Sequence, residues 1–219
     1  KTAYEIRLSL VGSEMCIRDS LALFAVSYAT GRHLPTGPAA TAALGGTLLQ
    51  MFNHGLSAAA LFACVGILQS RKAAALSPSG TGVPPVSLHE FGGVRTAAPI
   101  FAGLCGISLF SSLGLPGLNG FVGEFLIFRG VFGLHAPAAA LATLGLLATA
   151  LFLLTFWQRV FHGPRAGVTA SHFPDLTRPE LATLVPLVAL MFLFGLFPHL
   201  LTDLFNPLIT SWADHLILP

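Results

Sequence analysis

An all-α, polytopic membrane protein is the fold class this sequence predicts, a helix bundle in which one transmembrane helix is discontinuous. Three observations lead there. Hydrophobic residues make up 54% of the 219 and charged residues only 9%, against roughly 25% charged in an average soluble domain. The apolar residues gather into several runs, each near the ~20 residues that cross a hydrocarbon core. One run, Ala97 to Leu134, is 38 residues long, about 57 Å as continuous helix and well beyond a core of about 30 Å. It has to break. The break is written at Gly114-Leu-Pro-Gly-Leu-Asn-Gly120, where Pro116 has no amide hydrogen and Gly114, Gly117 and Gly120 tolerate unusual dihedrals.

The elements follow in order from residue 21. Leu21 to Ala29 is apolar but too short to span, and Gly31 to Pro38 is a polar turn. Ala39 to Gln69 is the first complete span, closed by Arg71 and Lys72. Ser77 to Ser87, SPSGTGVPPVS, is too rich in Pro, Gly and Ser to hold a helix and reads as an exposed loop. After the broken run, Pro137 to Val160 is another span. Thr177-Arg-Pro-Glu180 has the spacing of a capping box, with Thr177 as N-cap and Glu180 at N3. It opens a last span over Leu181 to Leu201, and from Asp203 onward an amphipathic tail offers Trp212 as an interface anchor. Two domains of unequal standing result: a non-native tail over 1–20 and a membrane domain over 21–219 with about four complete spans plus a helix stump at Leu21 to Ala29. The tail is polar and aperiodic, lacks the apolar stretch of a signal peptide, and its EMCIRDS resembles a translated transposase-end adapter from sequencing libraries.

A net charge of +2 without a basic stripe gives no footprint for nucleic acid. Arg71, Lys72 and Arg95 fall in one connection and Arg159, Arg165 and Arg178 in the next but one, on the same side of the bundle. The positive-inside rule makes that side cytoplasmic and puts the C-terminus on the periplasmic side. Cys16, Cys64 and Cys105 have no paired spacing, and no histidine pattern suggests a metal. Neither is there a strand-to-helix glycine loop for a nucleotide, so no cofactor is expected in this chain.

Glu124 is the sharpest chemical feature. It stands four residues past the break in FVGEFLIF, and a carboxylate at membrane depth costs at least ~2.5 kcal/mol unless it faces water or a partner. The break itself exposes backbone groups, which a bilayer tolerates only where protein or a hydrated cavity receives them. Both costs are met at once by a buried polar site in which Glu124 exchanges protons. The competing reading is a structural Glu paired at a helix end. His54, in QMFNHGLSAAALF, is the second relay candidate because both of its protonation states are reachable near neutral pH. Ser57 and Ala58 follow it, small enough to admit close packing or water. Asn53 and Asn119 are candidates to orient water or cap the broken helix. Arg129, five positions past Glu124, lies on another face and is expected to snorkel to the interface.

The ordered set LLQMFNHGLSAAALF, EFGGVRTAAPIF, SSLGLPGLNGFVGEFLIF, WQRVFHGP and DLTRPEL resembles the M-type membrane subunits of the bacterial NADH-quinone oxidoreductase (complex I) family. The resemblance runs from Leu21 to the C-terminus. It implies a fourteen-helix antiporter-like fold with two inverted five-helix repeats, each with one discontinuous helix, of which this chain carries most of the second repeat. The first repeat, with the family's intramembrane Glu and Lys, would lie outside residues 21–219, and Ser77 to Ser87 would be an insertion. By motif, Glu124 matches the acid of the second discontinuous helix and His54 the histidine of the preceding channel helix. Glu at 124 favours the M type, since L-type and N-type subunits and cation/proton antiporter subunits typically carry Lys there. The resemblance further implies a proton-translocating subunit in the bacterial inner membrane, partnered by other membrane subunits, especially of L and N type. Flavin, iron-sulfur clusters and quinone would belong to partner subunits. An antiporter subunit, a hydrogenase membrane arm and a passive structural subunit are the alternatives.

Overall fold

The computed structural model describes residues 22, 24–26, 37–76, 91–167 and 173–217. The tail 1–20, most of the turn at 31–38, the loop 77–87 and the Trp212 side chain lie outside them. In chain order the elements are α1 (Gly37–Leu76), β1 (Phe91–Gly92), α2 (Val94–Ala97), α3 (Pro99–Ser112), α4 (Asn119–Leu134), α5 (Ala136–Phe161), β2 (Ala166–Gly167), α6 (Arg178–Leu196) and α7 (His199–Ile217). Helices α1, α5 and α6 are long and apolar enough to cross a membrane. Helices α3 and α4, with 14 and 16 residues, are each too short to cross and are the two halves of the predicted broken helix.

Two boundaries differ from the sequence reading. α1 does not stop at Gln69 but continues to Leu76, so Arg71 and Lys72 are helical, and Lys72 is only 1% exposed. A Lys-Ala-Ala-Ala run propagates helix well, and charge alone does not end one. The last span stops at Leu196 rather than Leu201. Phe197 leaves the helical region at φ −124, ψ 61 because it precedes Pro198, whose ring disfavours helical backbone in the residue before it. The amphipathic tail is therefore a separate helix, α7, beginning at His199.

Two apolar clusters hold the bundle, one at each end. At the first, Ala60, Cys64 and Leu68 of α1 meet Phe101 and Cys105 of α3, with Phe161, Leu184 and Met191 from α5 and α6. At the other, Ala40, Ala43 and Leu44 of α1 meet Ile127 and Val131 of α4 and Ile209 of α7. Ala22, Ala25 and Val26, within the short apolar stretch before α1, are buried here too. Between the clusters α1 buries Thr47, Gln50, Asn53 and Ser57, about 15 Å of helix at 1.5 Å per residue. Ser108, Ser111, Asn119, Glu124 and Thr149 are buried in the same middle zone of α3, α4 and α5. A polar band thus crosses the interior midway between two apolar ends.

Glycines set how closely α1 and α4 cross. A side-chain carbon on Gly46 would stand 2.6 Å from the Ile127 nitrogen, and one on Gly130 would stand 2.5 Å from the Ala43 nitrogen and 2.6 Å from the Ala39 oxygen. Small residues let the backbones touch, the usual way apolar helices pack where no hydrophobic effect drives them together.

The end of the bundle that carries the predicted cytoplasmic arginines is closed by polar stitching. Asp175 accepts the Ile100 and Phe101 N–H groups at 3.0 Å each, covering donors that the first turn of α3 leaves unpaired. Arg71 donates to the carbonyls of Pro174 and Asp175 at 3.3 Å and to Glu180 Oε2 at 2.7 Å. The same carboxylate accepts the Thr177 N–H at 2.7 Å, the reciprocal half of the predicted capping box. Arg165 donates to the Thr96 hydroxyl and carbonyl at 3.1 and 2.8 Å, and the Phe91–Gly92 strand pairs antiparallel with Ala166–Gly167. Arg71→Ala removes these three hydrogen bonds from α1. It is expected to cost about 2 kcal/mol, as for hydrogen bonds to a charged group, and to lower the thermal midpoint of the detergent-solubilised protein while Arg129→Ala, at an exposed position, leaves it in place.

Candidate functional site: a buried carboxylate at the helix break

The break is built by its glycines. α3 ends at Ser112, Gly114 and Gly117 take φ of +71° and +94°, and α4 begins at Asn119 with Leu118 as N-cap. Turn hydrogen bonds run from Gly114 N–H to Ser111 O at 3.1 Å and from Leu115 N–H to Phe110 O at 3.1 Å. Pro116 sits at the exposed outer edge of this turn. Gly120 rests against the Ser111 carbonyl, where any side chain would collide, so the two half-helices overlap closely. On the far side the Gly117 carbonyl lies against Gly195 of α6.

Glu124 is 7% exposed. Its carboxylate occupies the space beside Gly114 that a side chain there would fill. The break therefore positions the acid directly, through an absent Cβ. Together with Gly114, Glu124 borders a half-open cavity of about 490 Å³ that reaches α5, whose polar lining includes Ser112, Thr143 and Thr149 among phenylalanine and leucine side chains.

Toward α1 the break is tied by a reciprocal amide clasp. Asn53 Nδ2 donates to the Asn119 carbonyl at 2.7 Å, and Asn119 Nδ2 donates to the Asn53 carbonyl at 3.1 Å. Ser111 completes it by donating its hydroxyl to Asn119 Oδ1. Asn119 is thus the first residue of α4 and a bridge to α1, not the cap of the helix. Asn119→Ala removes two of these hydrogen bonds. Interhelical hydrogen bonds in membranes are worth about 0.6–1.7 kcal/mol each, so a loss of about 1–3 kcal/mol is expected, read as a lower denaturation midpoint.

His54 follows Asn53 by one residue, about 100° further round α1, and is half-buried. Asn53 reaches the break from α1. Ser57 is 3% exposed and donates its hydroxyl to the His54 carbonyl at 3.2 Å, so it is engaged within its own helix. Gln50 belongs to the site and the sequence reading passed over it. Its position three residues before Asn53 put it on the same face of α1, which was the available signal. Asp175 was likewise missed as the cap of α3, although it opens the DLTRPEL motif. Near the tail, no hydrogen bond or ion pair joins His199 and Asp203 among the described residues, and the His199 ring instead meets Phe197 edge-on at 6.1 Å.

Comparison with known proteins brings this geometry into a family. The chain is 35% identical over 166 residues to NADH-quinone oxidoreductase subunit M of Mycobacterium tuberculosis, covering 76% of the chain and 28% of that protein. It is 31% identical over 163 residues to subunit M of Rickettsia typhi, covering 74% and 31%. Against Rhodobacter capsulatus subunit M the identity is 33%, over 74% of the chain and 30% of the relative. The chain thus spans somewhat under a third of the length of these relatives. Among solved structures, a chain of respiratory complex I from Thermus thermophilus with bound NADH superposes with a TM-score of 0.67 at 25% identity, over 99% of this chain and 47% of that one. The family model described as NADH:quinone oxidoreductase/Mrp antiporter, TM, matches residues 26–151, more than half of the chain, and the protein belongs to that family of transmembrane subunits.

Proposed function

We propose that this chain forms a proton-carrying C-terminal part of an M-type membrane subunit of NADH:quinone oxidoreductase, with Glu124 as the group that takes up and releases the proton. One observation carries the reading: a buried carboxylate stands beside Gly114 of an interrupted helix, inside a polar band held between two apolar ends. An ionisable group at membrane depth is costly and is kept where ions or protons move. Discontinuous helices put such sites near the bilayer midplane. Relatives named subunit M support the assignment to the oxidoreductase.

On this reading His54 serves as a relay and Asn53, Asn119 and Ser57 support it, with Gly114, Pro116, Gly117 and Gly120 keeping the break open. The low dielectric makes a charge on one intramembrane group strongly felt by the next, and that coupling lets quinone chemistry in a partner subunit drive protons here. Flavin, iron-sulfur clusters and quinone belong to those partners, L-type and N-type subunits flank the chain in the membrane, and the location is the bacterial cytoplasmic membrane with the C-terminus outside. The test is proton translocation by the reconstituted complex carrying Glu124→Gln, scored against its rate of quinone reduction. Because the matched family also includes Mrp antiporters, a sodium gradient that drives protons without NADH would favour that reading instead.

A further inference from the structure

Two buried side-chain acceptors on the inner face of α1 have no hydrogen-bond donor among the described residues: Gln50 Oε1 and Asn53 Oδ1. The residues are 4% and 1% exposed. They stand three apart, hence adjacent on one helix face. Both side chains reach toward α4. The Asn53 amide is fixed because its nitrogen donates to the Asn119 carbonyl, which leaves Oδ1 as the free end. Gln50 Oε1 lies against Gly123, whose missing side chain makes room for it. Gly123 is the residue before Glu124, so Gln50 Oε1 borders the turn of α4 that carries the acid, while Asn53 is held at Asn119, the first residue of α4.

Buried acceptors are nearly always satisfied, by protein or by an ordered water. We infer that Gln50 and Asn53 together hold a water molecule that donates its two O–H bonds to Gln50 Oε1 and Asn53 Oδ1 and keeps its lone pairs for a proton. The polarity of the site follows from its two acceptors. A water whose hydrogens are both committed can only accept next, and as hydronium it gains a third donor in a site that already favours donors. It stands between α1 and the α4 turn that carries Glu124, where Gln50 Oε1 meets Gly123, and gives the carboxylate a proton-exchange partner toward α1. This deepens the proposed function and rests on it for its role, though not for its existence.

The test uses the reconstituted complex. Gln50→Met keeps length and volume and removes the acceptor, while Gln50→Glu keeps an acceptor oxygen. Infrared difference spectra recorded in H2(16)O and H2(18)O report a bound water as an isotope-sensitive O–H stretch. The band is expected in the wild type and in Gln50→Glu and is expected to be lost in Gln50→Met. Translocation per NADH in Gln50→Met is expected to fall about three- to tenfold, the factor that about one hydrogen bond supplies, with an unchanged denaturation midpoint. A wild type without the band, or a Gln50→Met protein that keeps the band or keeps full translocation, overturns the inference. Should Glu124→Gln translocate normally while Gln50→Met still abolishes the band, the water site stands and the proton role of Glu124 falls.

Discussion

Proton translocation by the assembled oxidoreductase is expected to drop at least about tenfold when Glu124 is replaced by Gln, approaching the ~10²-fold scale of a lost acid–base group. Gln has nearly the same shape and still fits the space beside Gly114, so the break and its packing remain. What disappears is the ability to gain and lose a proton. Quinone reduction, measured with an uncoupler present, should persist, because the chemistry of that step lies elsewhere. Glu124→Asp makes a sharper control. It keeps the acid but withdraws it by one methylene from Gly114, and it should retain more translocation than Gln. Equal rates for wild type and Glu124→Gln at full quinone turnover would reduce this carboxylate to a structural group filling a glycine notch.

The features legible in the sequence are those that local physics dictates. A 38-residue apolar run has to break, and the glycines and proline at 114–120 marked where. Thr177 and Glu180 had the spacing of a capping box, and Glu180 does take the Thr177 N–H. The isolated acid at 124 advertised its own cost. Tertiary pairing was the part that stayed hidden. The Asn53–Asn119 clasp joins residues 66 apart, and no periodicity reveals which face of α1 meets the break. Titration chemistry singles out His54 in the sequence, whereas the contact of Asn53 with Asn119 and the place of Gln50 on the same face emerge only from the fold. Charge patterning fails at Lys72 for a related reason: a cation near a span end suggests a loop, yet Lys72 is buried in α1. The last span was overrun because apolar composition continues through Phe197 and Pro198, where one proline ring outweighs it.

The second large effect is expected at Gly130, which lies at a close backbone contact of the α1–α4 crossing. A methyl group there would meet Ala43 N at 2.5 Å, Ala39 O at 2.6 Å and the Ala43 side chain at 2.7 Å. Two of these are backbone atoms of a long helix, which cannot turn aside as a flexible side chain can. Gly130→Val therefore has to push α4 off α1. Overpacking of this kind costs typically about 1–3 kcal/mol, and the upper end is expected because the displacement also strains the Asn53–Asn119 clasp on the same helix pair. The amount of intact complex recovered from membranes, followed by native electrophoresis, should fall in Gly130→Val and less in Gly130→Ala. Gly66 lies on the same helix α1 but has open space around it, and there Gly→Ala is expected to be neutral or to stabilise by up to about 1 kcal/mol through helix propensity. If valine at 130 and alanine at 66 behaved alike, close backbone approach would not be what holds α4, and with it the Glu124 turn, against α1.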